Sequence, residues 1–230
     1  MIRGACVPCG VKRGSGVFMG LNSIGNWRRP GDSARAVGFF VLCGVCAAGF
    51  ATQLGAAAER QVRGMVLVGG RPSANAVVWL EAPDAPPPSE AKKVVLDQRQ
   101  MRFSPLVLAV RVGTAVLFPN NDRVFHNVFS FHHGKVFDLG LYPVGDSKVV
   151  RFDKPGLSRI FCNIHPNMAA YVVAVDSPYF AVSDESGAFA LPPVPPGRYT
   201  FHAWRAGASE LSGVWSVGDQ DAPVSIEWPK

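Results

Sequence analysis

Short apolar segments cut by turn residues restrict this chain more than any other feature. Breakers recur every few positions, with 24 Gly and 19 Pro among 230 residues. No run of ten or more residues shows a clean 3.6-residue apolar period, which excludes helical bundles and coiled coils. Strands remain. Residues 62–68, 76–80, 106–112, 115–118, 127–131, 148–152, 158–161 and 170–175 are rich in β-branched and aromatic side chains. Each is bounded by Gly, Pro, Asn or Asp. The texture repeats at 181–182, 189–191 and 199–204, with turns at Ser183-Asp184-Glu185-Ser186-Gly187 and Pro195-Pro196-Gly197, the latter fitting type II. Strands this short and regular predict an all-β chain built of sandwiches.

Charge is unevenly placed. The chain carries a formal +6, but residues 1–58 hold six basic residues and one acid. Residues 59–230 are left with 17 basic and 16 acidic residues, a net of +1. No basic patch remains for nucleic acid. Residues 1–58 have the grammar of a secretory signal: Arg28, Arg29 and Arg35, then the apolar run 36–51, then small residues with cleavage sites after Ala51 or Ala58. An uncleaved anchor is the rival reading, and the run is short for a span. Export places the chain in the periplasm, with no stable membrane insertion after cleavage. Cys6, Cys9, Cys43 and Cys46 leave with the signal, so Cys162 is the single cysteine of the exported chain. A disulfide framework is excluded.

That lone thiol sits in Phe161-Cys162-Asn163-Ile164-His165-Pro166-Asn167-Met168. Thiol, imidazole and thioether fall within seven residues, spaced C-x2-H-x2-M. Two His and one Cys in a plane with a weak axial Met is the donor set of a type 1 copper site. A loop this short can wrap one ion, since three extended residues span only about 10 Å. The fourth donor is expected from His126, and Asn127 is placed to bond across to the Cys162 loop. Zinc is a poor match, because its structural sites favour paired cysteines. A Cys–His nucleophile pair lacks a third group. His132-His133 reads as a solvated turn, and His202 as a surface or core histidine.

These residues resemble the cupredoxin family, and amicyanin-type members most, whose ligand loop also runs C-x2-H-x2-M. The stretch from Gly113 through Val116, Phe118 and Asn120 to His126-Asn127-Val128, and Phe152-x2-Pro155-Gly156 leading to Cys162, are similar to the family's surroundings of these ligands. Ser158 stands where the family usually has a core tyrosine. The resemblance implies a Greek-key β-sandwich over 95–176 and one copper ion held by His126, Cys162, His165 and Met168. It also implies single-electron transfer without bond chemistry. A redox partner protein, a dehydrogenase or cytochrome, would dock near His165, with Pro166, Ala169 and Pro143 lining the patch. The flanks, 60–88 and 178–230, resemble the two halves of a transthyretin-like sandwich. The whole resembles exported proteins of methylamine-utilisation type. A copper-holding or delivery module, or a structural envelope module, are the alternative functions.

Overall fold

The computed structural model describes residues 59–86, 94–131, 134–218 and 223–230. The expected signal with its four cysteines, and the His132-His133 pair, lie outside the described residues. The described residues contain no helix, and none long and apolar enough to cross a membrane.

The strands run in chain order β1 Arg60–Val68, β2 Arg71–Pro72, β3 Val77–Leu80, β4 Val94–Val95, β5 Asp97–Arg99 and β6 Arg102–Ser104. Then come β7 Val107–Arg111, β8 Ala115–Pro119, β9 His126–Ser130, β10 Phe137–Tyr142, β11 Ser147–Arg151 and β12 Gly156–Phe161. The last six are β13 Ala169–Val175, β14 Phe180–Val182, β15 Ala188–Val194, β16 Gly197–Trp204, β17 Leu211–Val217 and β18 Val224–Trp228.

One sandwich faces the sheet β10-β9-β12-β13-β7 against β11-β8-β4. Its core holds Val116, Phe118, Phe152, Ile160, Ala170 and Val172. The other faces β14-β3-β16-β17 against β15-β1-β18, around Val66, Leu80, Leu191, Ala203 and Trp228. The chain enters through this second sandwich, builds β4 to β13 of the first, and returns to finish the second.

A third core joins them. Strand β13 reads Ala-Ala-Tyr-Val-Val-Ala-Val and is buried on both faces. Ala170, Val172 and Ala174 enter the first core, while Tyr171, Val173 and Val175 meet Val77 and Trp204 of the second sandwich. A strand covered on both sides needs a near-continuous apolar run, and β13 has one.

The turn at 183–187 forms as read: Asp184 Oδ1 accepts the Ser186 and Ala188 N–H groups, and Gly187 takes φ +78°. The Pro195-Pro196-Gly197 turn is not type II. That type requires a positive φ at its third residue, and Gly197 instead opens β16 without one. Trp204, packed 5.2 Å from the Tyr171 ring, seals the joint between the sandwiches. Trp204→Ala should lower stability by about 3–5 kcal/mol in denaturant unfolding; a change near zero would mean the two sheets do not pack.

Candidate metal centre

Strand alternation presents the thiol. Ser158 and Ile160 point into the first core and Arg159 points out, so Cys162, next in that register, is buried at 4% exposure. Pairing of Phe161 with Phe129 sets β12 beside β9, whose first residue is the fully buried His126. The chain then turns tightly. Met168 N–H donates to His165 O at 2.9 Å and Cys162 N–H to Met168 O at 3.2 Å, closing residues 162–168 into a loop before β13.

Three donors converge there. His126 Nδ1 and His165 Nδ1 are 3.0 Å apart, and Cys162 Sγ lies 3.9 Å from the first and 3.7 Å from the second. Donors about 2.0–2.3 Å from one point and spread round a plane stand about 3.5–4.0 Å apart. Both sulfur sides of the triangle meet that measure, and the shorter nitrogen side corresponds to a narrower angle. The set fits a soft first-row ion. Met168 is buried at 1% in the same core cluster as Cys162.

The supports were less visible in the sequence. Asp122 Oδ2 lies 2.9 Å from His126 Nε2. A carboxylate there keeps the ring proton on Nε2 and turns the Nδ1 lone pair toward the thiol. Burial pushes the Asp122 carboxyl up, but hydrogen bonds from Met101 N–H, His126 and Arg123 N–H outweigh it and hold the group at about 2. It is therefore ionised at any physiological pH. Asn120, fully buried, shapes this loop: its Nδ2 donates to Val124 O at 2.9 Å and Tyr142 O at 3.2 Å, and its Oδ1 accepts Asp122 N–H. Met101, which donates to Asp122 Oδ2 at 2.6 Å, sits in the β5–β6 turn with Gln100, both at φ +54°. Non-glycine residues resist that conformation, so the bond to Asp122 helps hold it.

Asn127 Oδ1 accepts the Asn163 N–H at 2.8 Å, tying the ligand loop to β9, while its Nδ2 donates to Asp138. Tyr142, opposite His126 in the sheet, donates to Phe118 O and accepts from Gln98 Nε2. Burial pushes its phenol up to about 12; the Gln98 bond opposes the rise and Cys162 adds to it.

The structure thus brings together His126, Cys162 and His165 and sets Met168 in the core beside them. His202 lies elsewhere, between Glu81 and Glu210. Asp122 is not among the residues that the sequence points to. The signal for Asp122 was its place four residues before His126.

No protein-family profile and no curated protein matches the sequence. Among solved structures, the chain is similar to a purple cupredoxin from Nitrosopumilus maritimus. Identity is 27% over 36% of this chain and 100% of that one, with a TM-score of 0.34. It is similar to a Cu-containing nitrite reductase from Thermus scotoductus SA-01, 25% identical over 40% of this chain with a TM-score of 0.35. The match spans 25% of the reductase's length. Amicyanin from Paracoccus versutus is 21% identical over 43% of this chain and 97% of that one, with a TM-score of 0.34.

Outer partners of a ligating histidine typically change metal affinity about 10–100-fold. Asp122→Asn should weaken divalent-metal binding by that factor in a chelator competition. Unchanged affinity would show that the Asp122–His126 bond plays no part in holding an ion.

Proposed function

We propose that the protein is an exported, cupredoxin-type electron carrier that holds one copper ion between His126, Cys162 and His165. The observation that carries this reading is the convergence of one sulfur and two nitrogen donors within 4.8 Å of one another. When bound, copper supplies a Cu(II)/Cu(I) couple that passes one electron at a time. No substrate bond is made or broken, so the reading is non-enzymatic.

The chain's residues divide the remaining work. Cys162 would hold the ion through its thiolate, the strongest donor of the set, and the buried Met168 thioether would be a fourth, weaker donor that tunes the potential. Asp122, Asn120 and Asn127 hold the ligands in place, so little rearrangement accompanies a change of charge. Burial of Cys162 and His126 excludes water.

His165 is the partly exposed member, and exposed apolar residues stand close in sequence to the ligands and their strands. Ile164 precedes His165, Phe125 precedes His126, and Val144 lies in the turn after Tyr142; each is about half exposed, at 48%, 51% and 50%. With Pro166, Pro143 and Ala169 they form the proposed docking patch for a dehydrogenase or cytochrome, electrons leaving through His165. Export to the periplasm is proposed from the basic and apolar leader. The flanking sandwich is proposed to be a transthyretin-like module, supported by its assembly from the two ends of the described chain.

The test is to load the purified chain with Cu(II) and record visible and electron-spin-resonance spectra. An intense thiolate-to-copper band with narrow hyperfine splitting is expected, and Cys162→Ser should abolish it; a colourless loaded protein refutes the reading. Docking has its own check. Copies of the carrier exchange electrons through the same patch, so Pro166→Glu should slow self-exchange about tenfold or more, measured by NMR line broadening, with the copper spectrum intact. An unchanged rate would discard the patch.

A further inference from the structure

The cleft where the two sandwiches meet lies on the face of the β12–β13 sheet opposite Cys162. We infer that this cleft binds a small organic cation with an apolar body, a role separate from the metal centre. Its volume is about 520 Å³, within the range of small-molecule sites. Trp79 of β3 and Trp204 of β16 form one wall, and Val173 of β13 stands on the other. The described residues that line it include the acidic Glu81, Asp176 and Glu210, and no Lys or Arg is among them.

The polar end is built rather than incidental. The His202 ring stacks on Trp79 at 5.1 Å and 11°. Its Nε2 lies 2.9 Å from Glu81 Oε1 and its Nδ1 2.7 Å from Glu210 Oε1. Both ring nitrogens face carboxylate oxygens, an arrangement fully satisfied when both carry a proton. Even a ring protonated at both nitrogens would set one positive charge against the three acidic side chains among the described lining residues. The His202 hydrogen bond also holds the Glu81 carboxyl below its ordinary value, so it stays ionised. Glu81 and Glu210 come from separate loops, and a shared ring fixes them before any ligand arrives, which lowers the ordering cost of binding. An anion meets repulsion here. A neutral apolar molecule gains burial against the indoles but no charge attraction. A cation on an aromatic or alkyl body gains both.

The test follows the indole N–H signals of Trp79 and Trp204 by NMR in the full chain. The probes are 2-phenylethylamine, 2-phenylethanol and phenylacetate, alike in body and different in charge. Saturable shifts are expected with the amine, at least about tenfold tighter than with the alcohol, and none with phenylacetate. Glu210→Gln should weaken amine binding about fivefold, the factor of one near, solvated charge pair. Asp176→Asn, which leaves the His202 clamp intact, should weaken it about two- to fivefold. Absence of saturable shifts, equal responses to all three probes, or amine affinity unchanged in both variants would overturn the inference.

Discussion

A single register carries the candidate metal centre. Cys162 faces His126 because β12 pairs with β9 at Phe161 and Phe129 and with β13 along its whole length. A slip of one residue would send the thiol to the outer face, where Arg159 and Phe161 now lie. Two backbone bonds then close the 162–168 loop, so the distance from Cys162 to His165 is set by main-chain geometry more than by side-chain freedom. His126 is placed independently, from β9, by the Asn120 loop and the Asp122 carboxylate. The donor triangle is where these two constructions meet.

How much of this was legible depended on whether the signal was local. C-x2-H-x2-M is local, and so are short β-branched runs between breakers, so the ligand loop and most strands could be read directly. The β5–β6 hairpin was not, because its turn residues are Gln100 and Met101 rather than the Asn-Gly that usually marks positive φ at both centres. Its conformation is coupled to Asp122, 21 residues further on. Strand β10 was missed because Phe137–Tyr142 carries Asp138 and Gly140 in its middle, and its pairing with β9 supplies what its composition lacks. The parallel pairing of β1 with β18 joins segments more than 150 residues apart, which no local pattern encodes.

The second sandwich changes what the first can be. One side of the β10-β9-β12-β13-β7 sheet encloses the candidate metal centre, and part of its other side is covered by Val77, Trp79 and Trp204. Strand β13 therefore begins where the ligand loop ends and continues into the joint between sandwiches. The cleft at that joint and the proposed docking surface near His165 lie on different parts of the first sandwich, so occupancy of one need not obstruct the other.

The most direct measurement is copper K-edge X-ray absorption on the protein loaded with one equivalent of the ion. One sulfur and two nitrogen scatterers at about 2.0–2.3 Å are predicted, the sulfur lost in a Cys162 variant. A shell of nitrogen and oxygen alone, with no sulfur at bonding distance, would contradict the account.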